Sequence, residues 1–297
     1  MQEAIVVGVN DSPSSEAAMG WAVQRAAAMK LPILLVHAVD DRWVYDAVGY
    51  NDWIRESGVA FLAAAKDRAA KMEPTVSVTT DLVSGGAGYA LGKRSKKAAM
   101  VVIGSGQGWA GGSLTDRALQ VAAVARCPVA VIGEHDMAHR KGIVVGVDGS
   151  EESTQAVAFA AAEADRIGQE LTVLHAFPTP EPWVTRGVPH TNYFEVITEE
   201  ERVVLAETVA GLADKYPDLV VHQVLDTHTR PAEALLAAGA TAQLLVVGSR
   251  GRGSFKRLLL GSTAHAVLTK LPCPTIIARL AGPHLGVAAK RERRASL

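Results

Sequence analysis

The chain predicts an α/β protein built as two tandem copies of one unit, each an open parallel sheet of about five strands covered by helices. Three observations carry that reading. The first is an internal repeat: IVVGV at residues 5–9 returns at 143–147, and LLVHA at 34–38 is answered by TVLHA at 172–176, both at an offset of 138 residues. The second is that the candidate strands are continuous apolar runs, as parallel strands buried on both faces require. The third is that Ala-rich stretches with apolar residues three or four apart separate those runs, which gives βαβ units with right-handed crossovers.

The later elements repeat with small insertions. MVVIGSG from Met100 matches LVVVGSR from Leu244 at an offset of 144, and RCPVAVI from Arg126 matches PCPTIIA from Pro272 at 146. A unit of roughly 140 residues encloses its own core, unlike the short repeats of solenoids. The domains are therefore placed at 1–139 and 140–281, followed by a tail at 282–297.

Strands are expected at 5–9, 33–39, 76–82, 101–103 and 129–132, and then at 143–147, 172–176, 220–225, 244–247 and 275–278. Helices are expected at 15–29, 59–71, 87–97, 114–125, 152–167, 198–216, 231–238 and 263–271. Trp21, Val23 and Ala26 mark the inner stripe of the first helix, and Val157, Phe159 and Ala160 mark its counterpart. In such sheets ligands bind beyond the carboxyl ends of the strands, where strand order reverses. The loops after the first, second and fourth strand of each copy are the places to search.

Composition excludes several classes. The 297 residues carry 30 Lys plus Arg against 31 Asp plus Glu, a formal net charge of −1 that offers no broad field for nucleic acid or anionic lipid. The one clear basic cluster, Lys290, Arg291, Arg293 and Arg294, lies in the tail and reads as a solvated end or as a contact for a polyanion or a regulatory partner. Residues 5–9 are too short a run for a secretion signal, and no run is long enough to span a bilayer, so a cytoplasmic protein is expected. Cys127 and Cys273 occupy equivalent positions before Pro128 and Pro274 and read as small buried hydrophobes, not as a disulfide or metal pair.

The most informative loop follows the fourth strand of the second copy. Gly248, Ser249, Arg250, Gly251, Arg252, Gly253 and Ser254 precede Gly261 and Ser262 at the start of a helix. Closely spaced glycines turn backbone N–H groups toward an anion, and a helix N-terminus adds further donors. The pattern is neither a P-loop nor a dinucleotide fingerprint. A tight turn with an N-cap uses the same residues, but Asp148 at the end of the first strand faces this loop and can accept from a ribose hydroxyl or hold a cation.

Together VVGVDGS, LTVLHAF, LLVVGSRGRGSFKRLLLGS and CPTIIA resemble the universal stress protein family, whose tandem members have two units in one chain. The resemblance covers nearly all of residues 1–281 and implies a Rossmann-like fold of the adenine nucleotide alpha hydrolase type. Its glycine motif falls on Gly248, Gly251, Gly261 and Ser262. It implies ATP binding, often with a divalent ion such as magnesium. Asp148 then lies by the nucleoside, the backbone of Ala176 and Phe177 lies along the adenine edge, and Gly248, Ser249, Gly251, Gly261, Ser262 and Thr263 surround the phosphates. Pro231 shapes the ribose side. It further implies subunit contact along the final strands, 129–132 and 275–278, so that the halves form a pseudo-dimer and whole chains join as homo-oligomers.

The first copy departs from the motif. Asn10 stands in place of Asp148, Gln107 in place of Gly251, and Arg117 where Gly261 would fall. Gly8, Asn10, Gly104, Gly106, Gly108, Gly112 and Ser113 are its counterpart nucleotide residues. His37 and His175 match in the second strands and read as hydrogen-bonded to neighbouring backbone, while the His, Cys and acidic residues form no metal pattern. The aromatics Trp43, Tyr45, Tyr50, Trp53, Trp183, Tyr193 and Phe194 are expected to pack over the sheet or to cover a nucleoside. No catalytic constellation is visible. The leading expectation is an ATP-binding stress-response regulator with little or no turnover. The alternatives are a nucleotide-independent interaction module and a slow hydrolase or nucleotidyl-transfer enzyme.

Overall fold

The computed structural model describes residues 3–39, 50–105, 114–178, 193–252 and 259–279. The first copy contains β1 (Ala4–Gly8), α1 (Pro13–Met29), β2 (Ile33–Val39), α2 (Tyr50–Met72), β3 (Val78–Ser84), α3 (Ala87–Arg94), β4 (Ala98–Gly104), α4 (Leu114–Val124) and β5 (Val129–Ile132). The second contains β6 (Ile143–Val147), α5 (Glu151–Ile167), β7 (Leu171–Ala176), α6 (Tyr193–Val209), α7 (Leu212–Lys215), β8 (Val221–Asp226), α8 (Pro231–Gly239), β9 (Leu244–Gly248), α9 (Ser262–Lys270) and β10 (Thr275–Ala278).

The two five-stranded sets merge into one sheet of ten strands, ordered β3-β2-β1-β4-β5-β10-β9-β6-β7-β8. Pairing is parallel within each copy and antiparallel between β5 and β10, where the copies meet. The expected pseudo-dimer contact along the final strands is thus made inside the chain. Strand order reverses between β1 and β4 and between β6 and β9, the crevices where an α/β sheet takes its ligand. Because the junction is antiparallel, the carboxyl ends of the two sets lie on opposite edges of the sheet.

Local chemistry explains the element ends. Ser12 and Ser150 cap α1 and α5, each accepting a backbone N–H three residues on, and Pro13 and Pro231 occupy first-turn positions. Gly168 closes α5 in the left-handed conformation. The helix expected over 198–216 begins earlier, at Tyr193, and is broken at Gly211, whose φ of 77° no continuous helix adopts. Helix α2 likewise starts before its expected position, because its polar opening turns show no apolar period.

In the inner strands side chains on both faces are buried, with Ile5, Val7, Ile143, Val145, Ile276 and Ile277 fully enclosed, whereas the edge strands β3 and β8 are half-buried or exposed at most positions. The helices α1 and α5 cover one face, and α3, α4, α8 and α9 cover the other. Cys127 and Cys273 are free and buried, and burial pushes both thiols up to about 12. Trp53 is exposed and Phe194 partly buried, while Trp43, Tyr45 and Trp183 fall outside the described residues and Tyr50 and Tyr193 have undescribed side chains. The basic tail also lies outside them.

Close approach sets two opposite expectations for glycine substitution. A Cβ at Gly104 would stand 2.6 Å from the carbonyl of Ser14, whereas one at Gly20 in the middle of α1 meets nothing within 4 Å. Gly104→Ala is expected to destabilise the fold by about 1–3 kcal/mol and Gly20→Ala to stabilise it by about 0.5–1 kcal/mol, both read by urea denaturation.

Candidate functional site

At the carboxyl end of β6 and β9 lies a cavity of about 260 Å³. Of the residues expected around a nucleotide, Asp148, Ala176, Gly248, Gly251, Gly261, Ser262 and Thr263 line it, together with Pro231, Arg250 and the apolar wall of Leu174, Leu235 and Val247. At Gly146 on its floor a Cβ would meet the Leu235 side chain at 2.8 Å and push it aside. Small residues thus leave the space open, and the polar groups sit at its rim.

Phe177 and Ser249 do not line the cavity. The Phe177 N–H donates to the Asp226 carbonyl at 2.8 Å, extending the β7 to β8 pairing, so it is not turned to a ligand edge. Ser249 is buried beneath the loop, where its N–H reaches the Ala278 carbonyl and its own carbonyl accepts from Gly261 N–H at 2.8 Å. The Gly261 amide is therefore engaged, and the loop presents other donors. His265 N–H makes the first i→i−4 bond of α9, to the Gly261 carbonyl. The amides of Ser262, Thr263 and Ala264 precede that bond, and all three residues line the cavity.

Among the described residues, Asp148 is the only carboxylate on the lining. Its Oδ1 accepts from Ser150 N–H at 3.0 Å and from Ser150 Oγ at 2.6 Å, and its Oδ2 accepts from Arg252 N–H at 2.8 Å. Burial raises its pKa most strongly, but the hydrogen bonds from Ser150, Arg252 and Ser153 outweigh that effect and hold it below the usual value. An ionised Asp148 consequently ties the glycine loop to the end of β6. Gly251 lies so close that a Cβ would fall 2.1 Å from Oδ2, which explains a glycine there.

A polar ring that the sequence did not reveal supports the same loop. Buried His175 donates from Nδ1 to the Val147 carbonyl at 2.8 Å, and its Nε2 lies 2.7 Å from Glu201 on α6. Glu201 accepts from Arg252 Nη1 at 3.0 and 3.1 Å. On the other leg, Arg279 donates to the carbonyls of Leu259 and of Ala123 at the end of α4. Burial, and then the charge of Arg250, lowers the Arg279 pKa, while Arg250 itself pairs with Glu152 at 3.0 Å. Glu201 and Arg279 are far in sequence from the residues they hold, and no local motif marks them.

The first copy has a smaller cavity, about 80 Å³, lined by Gly8, Asn10 and Gly104 as expected, and also by His37 and Arg117. Gly106, Gly108, Gly112 and Ser113 lie outside the described residues. Asn10 is turned into the α1 cap, accepting from Ser12 Oγ at 2.7 Å. His37 repeats the backbone bond of His175, to Val9 at 2.8 Å, and packs tilted at 44° against Phe61 with ring centroids 4.9 Å apart. Among the described residues no three His, Cys, Asp or Glu side chains form a metal cluster, and no helix is long and apolar enough to cross a membrane.

The sequence profile described as "Universal stress protein family" matches residues 1–133 and again 139–279. Universal stress protein Rv2005c of Mycobacterium tuberculosis is 36% identical over 292 residues, spanning 94% of this chain and 97% of that protein. Universal stress protein Rv2623 of the same organism is 33% identical, spanning 93% and 96%. Among solved structures, a universal stress protein from Archaeoglobus fulgidus superposes with a TM-score of 0.67 at 20% identity, covering 93% of this chain and 96% of its own.

The lowered pKa of Asp148 fixes a sign for acid stability. Its unfolded value is about 3.9, so its contribution is full above roughly pH 4 and is lost as pH falls through the lower folded value. Asp148→Asn is expected to flatten the dependence of the urea midpoint on pH in that acid window. An unchanged slope in the variant would contradict the bonding described.

Proposed function

The chain belongs to the universal stress protein family, and from that premise we propose that its second half binds an adenine nucleotide, ATP foremost, as a regulatory ligand. One observation carries the reading: a glycine-lined cavity has the first-turn amides of α9 at one end and the ionised Asp148 near the end of β6. The amides of Ser262, Thr263 and Ala264, with the positive end of the helix dipole, suit phosphate oxygens. Arg250 on the lining is paired with Glu152 at 3.0 Å and would have to share its charge with a bound anion. The apolar wall of Leu174, Leu235 and Val247 suits a purine face, and Pro231 with Ala176 borders the sugar side.

Magnesium fits as a companion of the phosphates. The lining offers one carboxylate and the hydroxyls of Ser262 and Thr263, a set suited to an ion held chiefly by phosphate and water, where it would screen phosphate charge. Retention is favoured over turnover because Asp148, the one carboxylate among the described lining residues, is held below its usual pKa and makes a poor general base. Nucleotide occupancy would then set the shape of the glycine loop, and a regulatory partner or a homo-oligomeric neighbour would read it.

Ser262→Pro separates phosphate recognition from nucleoside recognition. Gly261 is already extended at φ −73° and ψ 157°, so proline fits at the first helical position while removing one N–H and one hydroxyl. Calorimetric titration is expected to show ATP weakened about 10- to 100-fold with adenosine little changed. Equal weakening of both ligands would reject the role assigned to α9.

A further inference from the structure

The β5 to β10 register marks an approximate two-fold axis, because Ala130 pairs with Ile276 and these are the same position of the two copies. On the face covered by α1 and α5 the same relation holds for side chains. Trp21 and Phe159 are equivalent positions, 138 residues apart, and so are Arg25 and Glu163. The Arg25 guanidinium carbon lies 5.1 Å from the Trp21 ring centroid and 5.7 Å from that of Phe159. Its Nη1 donates to the Glu163 carboxylate, and both side chains are only 5% exposed. Arg166 also pairs with Glu163, and its counterpart in the first copy is Ala28.

A residue beside a two-fold axis meets its own copy whenever two identical units pair. Had the copies stayed alike here, two arginines or two glutamates would be buried face to face, each losing water without gaining an opposite charge. The aromatic position has stayed aromatic, whereas the charged position has diverged to opposite signs. Removing one partner of a buried pair is strongly unfavourable even where the pair itself adds little net stability, so the pair acts on which partner is accepted.

We infer that the α1 and β5 face of the first half is a recognition surface for a unit carrying a carboxylate at the axis, namely the second half of this protein, and rejects another copy of the first half. A second chain engages this surface only by exchanging unlike halves. The inference is independent of the nucleotide reading.

The test uses full-length chains and reversed charges. Arg25→Glu gives two glutamates at the axis, while Glu163→Arg with Arg166→Glu gives two arginines. Each of these chains alone is expected to melt roughly 10 °C below the parent or to leave the monomer fraction. A single chain carrying all three substitutions restores opposite charges and is expected to regain most of that loss as a monomer. The two like-charged chains, produced together under different tags, are expected to copurify as a 1:1 dimer of exchanged halves. Parent-like melting of the like-charged chains would overturn the inference, as would a triple variant no more stable than they are, or the absence of a mixed dimer when the triple variant recovers.

Discussion

The antiparallel union of β5 with β10 is the constraint from which the rest follows. Each copy ends on a short apolar strand whose side chains are buried on both faces, and such a strand left at an edge would be a template for uncontrolled pairing. Joining the two edges removes that liability, fuses the copies into one sheet and turns their ligand crevices to opposite edges. The two crevices are then free to diverge, because neither shares its loop with the other. Divergence is what the residues show: a roomy, acid-anchored cavity in the second half and a smaller one in the first, with Asn10 drawn into a helix cap.

Within the second half, the physical theme is a loop held from several sides so that a few amides remain available. Asp148 grips the Arg252 amide, Glu201 grips the Arg252 guanidinium, Ser249 takes the Gly261 amide and Arg279 takes the Leu259 carbonyl. A segment rich in glycine would otherwise lose much conformational entropy on meeting a ligand, and fixing it beforehand lowers that cost. The anchors come from β6, α6 and the end of β10, so the loop is tied to elements far from it. Under the proposed function, that tie would carry the effect of a bound nucleotide to those elements.

Much of this was legible from the chain. The repeat offsets, the continuous apolar strands and the glycine spacing placed the ten strands and the two crevices, and they pointed to seven residues that line the second-half cavity, because each depends on local pattern. Phe177 and Ser249 stand off the cavity lining since their amides are claimed by β8 and β10, a tertiary fact with no local signature. The engaged amide of Gly261 is of the same kind, and so are Glu201 and Arg279, which act across the fold. Arg25 and Glu163 were within reach: the offset of 138 that aligned the strands also aligns these two, and opposite charges at matched positions signal an axis.

The central claim is that the first turn of α9 and the loop held by Asp148 receive an adenine nucleotide. Backbone amide NMR during ATP titration tests it most directly. The account predicts saturable shifts concentrated at Gly251, Ser262, Thr263 and Ala264. Saturable shifts confined to residues away from this cavity, or none at all at millimolar nucleotide (on the order of the weakest specific affinities), would contradict it.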